Sequence, residues 1–226
     1  MLLLSCQVLG ADAVVPPLPA APADFAVTNR CVLDIELAGK PVGRLTVALW
    51  GGAAPEAVAA FVGMCEGTQF LSAVDSSGRS TGAAVFGPWS WEGTSVERVD
   101  PGRQIIFAKP KLPKTISRKE AKLSFALPPP PPPSSTPPTP YRGAGYVRVR
   151  RSGADSVEFS ISSGSGSGGG LFGGGSDGGA REWATIGQVE DRDGAALLLA
   201  RLDGMPLNKY SSAPLRRVAV ARAAAL

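Results

Sequence analysis

No histidine occurs in the 226 residues of this chain. The commonest general base and the commonest metal ligand are therefore missing, and no metal or cofactor is expected. Cysteine is scarce as well: Cys6, Cys31 and Cys65 form no CxxC pair, which argues against a zinc site and a disulfide framework. Buried thiols are the simpler reading, and a Cys31–Cys65 bridge is the alternative. Charge of one sign is limited, at a net +4 with 19% charged residues. The basic residues that gather between Arg98 and Lys122 lack the interleaved aromatics of a single-strand nucleic-acid platform. They read as a solvated surface, and no nucleic-acid partner is expected. Long apolar runs are absent too. The opening "MLLLSCQVLGADAVV" is too short to span a bilayer, so the chain is not expected to cross a membrane. Its Ala11-Asp12-Ala13 fits an export-cleavage pattern without a basic region before it, as if the front of the signal were missing. A loose apolar tail is the plainer alternative.

What is present is a domain preceded by a tail. Hydrophobic residues make up 44% of the chain, enough for a core. Gly (28) and Pro (21) are abundant but clustered, which assigns them to linkers and insertions. Residues 1–30 read as the signal-like segment and a Pro/Ala linker, and 31–226 as the domain. Insertions are expected at about 71–92, 128–143 and 164–180. The last two are a polyproline run and a Gly/Ser loop, both expected to be disordered. The "FGPWSW" of the first offers an exposed aromatic patch or folds back onto the body, and folding back is the commoner fate of large apolar groups.

Period-two alternation marks strands in "CVLDIEL" (31–37) and "GRLTVALW" (43–50), which read as a hairpin. Cys31, Leu33, Ile35, Leu37, Leu45, Val47 and Leu49 fall on the buried sides. Pro55 and Glu56 suit a first helical turn, Val58, Phe61, Val62 and Cys65 share one stripe, and Gly67 ends the helix. Further strands are expected in "TSVERV", "RQIIFA", "AKLSFAL" (121–127), "GYVRVRR", "SVEFSIS", "WATIGQVE" and "LRRVAVAR", with a second helix over 193–202. No strand–helix–strand alternation supports a parallel sheet, so a mostly β, antiparallel barrel capped by two helices fits best.

The stretch "VLDIELAGKPVGRLTVALWGGAAPEAVAAFVGMCEGT" resembles the opening of the cyclophilin-type peptidyl-prolyl cis-trans isomerases. "ATIGQVEDRDGAALLLARLDGMPLN" followed by "PLRRVAVA" is similar to that family's closing strand, second helix and last strand. The resemblance implies a closed eight-stranded antiparallel β-barrel capped by two α-helices. It also gives "VERVDPG" (96–102) a counterpart, the segment around the family's essential arginine, and so implies Arg98 as the catalytic residue. Prolyl isomerisation faces a barrier of about 18–20 kcal/mol from amide resonance. A guanidinium that bonds the prolyl carbonyl and the imide nitrogen more strongly in the twisted state lowers that barrier without nucleophile, metal or cofactor.

The substrate-binding positions that the resemblance implies depart from the pattern. Arg103 stands where a Phe lines the proline pocket, and Ile106 where a Gln holds the substrate backbone, with Gln104 two residues away. In "LSFAL" Ala126 is kept and Leu127 replaces an Asn; in "VEFSIS" Glu158 replaces a Gln and Ser160 the pocket Phe; Trp183 replaces a His. An apolar socket for a proline ring is worth about 1–3 kcal/mol, and Arg103 and Ser160 weaken it. The expectation is a prolyl isomerase or folding helper with a weak active site acting on proline-containing segments. The alternative is an inactive binding or assembly factor for a membrane-associated, photosynthetic complex, using the groove or the Trp89/Trp91 patch. The departures and the export-like start resemble chloroplast thylakoid-lumen cyclophilins of plants and green algae, which implies that localisation or another exported compartment.

Overall fold

The computed structural model describes residues 25–68, 72–74, 80–84, 89–108, 110, 121–122, 145–151, 157–163, 183–190 and 192–226. The segment before Phe25 and the expected insertions at 128–143 and 164–180 lie outside the described residues. No helix among those described is long and apolar enough to cross a membrane.

Alternating burial is realised in β1 (Asn29–Leu37), whereas β2 (Lys40–Leu49) is buried on both faces from Leu45 to Leu49. Cys31, Leu33 and Ile35 on one strand and Leu45, Val47 and Leu49 on the other are all fully buried. They are joined through Ala38 and Gly39, both at positive φ (51° and 79°), the backbone of a tight hairpin turn whose twist matches the strands. Helix α1 (Pro55–Glu66) starts on Pro55 and ends at Gly67, whose left-handed backbone returns its N–H to the carbonyl of Gly63. Val58, Phe61 and Cys65 are buried and Val62 is half-buried.

β5 (Val96–Asp100), β6 (Gln104–Phe107), β8 (Tyr146–Arg151), β9 (Val157–Ser162), β10 (Ala184–Val189) and β11 (Val218–Ala225) complete one antiparallel sheet of eight strands in the order β11-β1-β2-β10-β8-β9-β6-β5. Helix α2 (Ala195–Asp203) packs the tip of Leu198 against Gly43 of β2, so a side chain there would push Leu198 aside. The two ends of the sheet meet only locally. Ser95 bridges Ala219, Gly93 N–H donates to the Val220 carbonyl at 2.8 Å, and Val220 N–H to the Thr94 carbonyl at 2.8 Å. Further along, the outer edge of β5 is satisfied by the loop after α2, with Val99 N–H donating to the Ser212 carbonyl at 3.0 Å.

Within the 71–92 segment, β3 (Ser72–Val74) and β4 (Ser80–Ala84) form a separate three-stranded sheet with β7 (Ala121–Lys122), strands that the sequence pattern did not mark. Trp89 and Trp91, at 2% and 0% exposed, fold back onto the body as the commoner fate of such rings predicts, and the alternative of an exposed patch falls. The Trp91 ring lies 4.6 Å from Phe159, which stacks on Phe107 at 4.2 Å and meets Phe61 edge-on at 5.7 Å. Large apolar rings lose more by staying in water than the local chain loses by folding inward. The binding role set out for these two tryptophans is therefore withdrawn.

Candidate functional site

On β9 the side chains alternate. Val157, Phe159 and Ile161 join the core, while Glu158, Ser160 and Ser162 face the other side of the sheet. The register then assembles the outer face. Arg98 stands opposite Ile106, Ile106 opposite Ser160, Ser160 opposite Arg148, and Arg148 opposite Thr185. Two residues along, Asp100 stands opposite Gln104 and Gln104 opposite Ser162. On the other side of the row, Glu158 stands opposite Arg150. An irregularity between Val96 and Arg98 puts both Glu97 and Arg98 on the exposed side of the strand.

Of the residues implied by the resemblance, the fold brings Arg98, Ile106 and Ser160 into one cross-strand row. Their sequence separations hid this adjacency. Arg98 is half-exposed and paired with Asp100, its Nε 3.1 Å from Oδ1 and its Nη2 3.2 Å from Oδ2. Gln104 donates its amide to the same Asp100 Oδ2 at 3.1 Å, so the glutamine and Arg98 share one carboxylate oxygen. Glu158 is buried and pairs with Arg150, Nη2 to Oε2 at 2.6 Å and Nε to Oε2 at 2.8 Å. The Arg150 guanidinium lies 4.6 Å over the Trp183 ring, so Trp183, Arg150 and Glu158 form one chain of contacts. Arg103 is exposed in the turn between β5 and β6, with its N–H on the Asp100 carbonyl at 2.9 Å. Ala126 and Leu127 lie outside the described residues, and the described start of their segment, Ala121–Lys122, pairs with β3.

The turn that carries this face is fastened from α2. Gly102 N–H lies 3.0 Å from both oxygens of Asp203, and the Ser163 hydroxyl donates to Asp203 Oδ1. Ser163 N–H donates to the Arg103 carbonyl at 3.2 Å. Sequence reasoning missed Asp100, Asp203 and Arg148. For Arg148 a signal existed, because "YVRVRR" sets Arg148 and Arg150 on one face and Val147 and Val149 on the other. Which strands would flank it was not readable. Burial lowers the Arg148 pKa from its ordinary value, nearby Tyr146 opposes that, and the positive charge of Arg103 adds to it.

Cys31 and Cys65 are both free and buried. The Cys65 thiol is pushed up by its hydrogen bond with Cys31 and then by burial.

The structure is similar to the crystal structure of the mimivirus cyclophilin, with a TM-score of 0.51 and 18% sequence identity over 88% of this chain and 89% of that one. At that identity the likeness defines the fold, and the chain has a cyclophilin-like architecture of eight antiparallel strands and two helices. No protein-family model matches the sequence, and no curated protein does.

Proposed function

We propose that the outer face of β5, β6, β9 and β8 is a groove for extended, proline-containing segments, and that the protein is a weak peptidyl-prolyl isomerase acting in protein folding. The observation that carries this reading is the row Arg98–Ile106–Ser160 on a cyclophilin-like sheet, which places a guanidinium beside an apolar and a small side chain. Arg98, half-exposed, offers a donor fork to a prolyl carbonyl, while Ile106 and Ser160 beside it are buried, at 3% and 0% exposed, and form the floor of the row. In this reading the bridge between Ser95 and Ala219 is the seam at which the sheet closes as a barrel.

Weakness follows from chemistry. Arg98 is shared with Asp100, and the position opposite it holds Ile106, which offers no hydrogen bond to a substrate backbone. Orientation contributed by such a bond is lost. The Arg98–Asp100 pair also favours a second reading, a non-catalytic binding factor that holds proline segments without turning them. In either case the lumen of a thylakoid, with a photosynthetic membrane complex as client, is the setting we infer from the export-like start and the pattern of departures. Import of a fluorescent fusion into isolated chloroplasts tests that setting.

The functional test is isomerisation of a short X-Pro peptide, followed by NMR exchange. Activity above background that disappears in Arg98→Ala supports the isomerase. Peptide binding without acceleration supports the binding factor. Neither binding nor acceleration, with a folded chain by circular dichroism, refutes both.

A further inference from the structure

We propose that Arg148 forms a carboxylate-binding subsite beside Ile106 and Ser160, so that the groove selects proline segments carrying an acidic group. This rests on the reading of the outer face as a peptide groove and names the substrate class that the groove takes.

The other arginines of this face are neutralised within it. Arg98 is bound to Asp100, and Arg150 to Glu158. Arg148 stands between Ser160 on β9 and Thr185 on β10 and makes no ion pair with any described carboxylate. Its Nε is fully buried and has no hydrogen-bond acceptor. Directly opposite, the hydroxyl of Ser160 is also buried and unpartnered. A buried guanidinium without a counter-charge is one of the costlier features a fold can hold, and buried unsatisfied donors are rare enough that two facing each other call for an explanation.

The charge count on this face gives the kind of acceptor. Arg98 cancels Asp100, Arg150 cancels Glu158, the exposed Glu97 and Arg103 add one charge of each sign, and Arg148 is left over. Arg103 sits close enough for its positive charge to act on Arg148, which adds to the demand for an anion. The Arg148 side chain is not wholly covered, so part of the fork is accessible from the groove. A carboxylate matches such a fork with two oxygens, where a neutral peptide carbonyl offers one. The carboxylate belongs either to an acidic side chain near the proline or to a free chain terminus.

The test uses the full chain and three peptides labelled at the N-terminus: Glu-Ala-Pro-Phe amide, Gln-Ala-Pro-Phe amide, and Gln-Ala-Pro-Phe with a free carboxylate. Fluorescence anisotropy at low salt reads their affinities. A charge-assisted bond predicts that one of the two carboxylate peptides binds about tenfold or more tighter than the neutral one. Preference for the Glu peptide identifies a side chain, and preference for the free carboxylate a chain terminus. In Arg148→Met the preference collapses to about unity. In Arg148→Lys, which keeps the charge and serves if the first variant fails to fold, it falls severalfold. Arg201→Met, an exposed change on α2, leaves it intact. Equal binding of all three peptides overturns the subsite and leaves the groove standing. If none binds, the groove reading falls, and sodium acetate added to 15N-labelled protein decides the subsite alone. A shift of the Arg148 Nε–H resonance supports it, and no shift overturns it.

Discussion

On the proposed isomerase reading, Asp100 is the residue whose replacement should raise activity. Its carboxylate holds Arg98 along the strand, with Nε–Oδ1 at 3.1 Å and side-chain exposures of 49% for the arginine and 24% for the aspartate. At that exposure the pair is worth about 0.2–1 kcal/mol, because water already solvates most of the guanidinium. A substrate carbonyl that recruits Arg98 has to loosen this pair as the peptide bond twists. Asp100→Asn removes the charge while keeping an oxygen to accept from Gln104, which donates there at 3.1 Å. At 1.36 kcal/mol per decade of rate, kcat/KM for a short X-Pro peptide should rise about 1.4- to 5-fold. Folding stability should fall by no more than about 1 kcal/mol. The assay is NMR exchange on the peptide, with urea denaturation as the stability control. A threefold or greater drop in kcat/KM at unchanged stability would refute the reasoning, since it would make Asp100 the residue that aims Arg98 rather than one that competes for it.

Other consequences concern the frame that holds the face. A Cβ on Gly187 would lie 2.2 Å from the Ala48 carbonyl oxygen, so Gly187→Ala must separate β10 from β2; a loss of about 3 kcal/mol or more is expected by urea denaturation, by analogy with overpacked cores. Asp203→Ala removes the acceptor of Gly102 N–H and of the Ser163 hydroxyl. It should cost about 2 kcal/mol and speed amide exchange at Gly102, and unchanged exchange would show that the turn holds itself. Because the folded Cys65 thiol is raised above its unfolded value, the unfolded chain loses this proton first. Stability from this group is full below the unfolded thiol pKa of about 8.5 and declines as pH rises above it. Cys65→Ala should flatten that alkaline decline, read from urea midpoints between pH 7 and about 10.

How far the sequence could be read depended on whether a feature is local. The β1–β2 hairpin and α1 were legible because alternation, a helical stripe, Pro55 and Gly67 each act within a few residues of chain. The row Arg98–Ile106–Ser160 was legible only in part: Arg98 and Ile106 face each other across a local hairpin, whereas Ile106 and Ser160 are brought together by register between strands more than 50 positions apart. Arg148 was visible as an alternating strand charge, but its importance comes from two neighbours, Ser160 and Thr185, that only pairing reveals. The Asp100 ion pair was hidden in the same way, because side-chain direction past the irregularity at Glu97 decides whether Arg98 meets its neighbour or a substrate. Trp89 and Trp91 carried no periodic signal at all; Trp91 is buried in the aromatic cluster around Phe159, and Trp89 joins the same hydrophobic core.

The central claim is that a proline segment lies along the outer face of β5, β6 and β9. Amide chemical-shift mapping of the 15N-labelled full chain, titrated with an Ala-Pro-containing peptide, tests it most directly. The account predicts that the largest shifts fall on Arg98, Ile106 and Ser160 and on the turn at Gly102 and Arg103, and that Arg98→Ala weakens the titration. Shifts confined to the α1 side of the sheet, or to the loop at Tyr210, would contradict it.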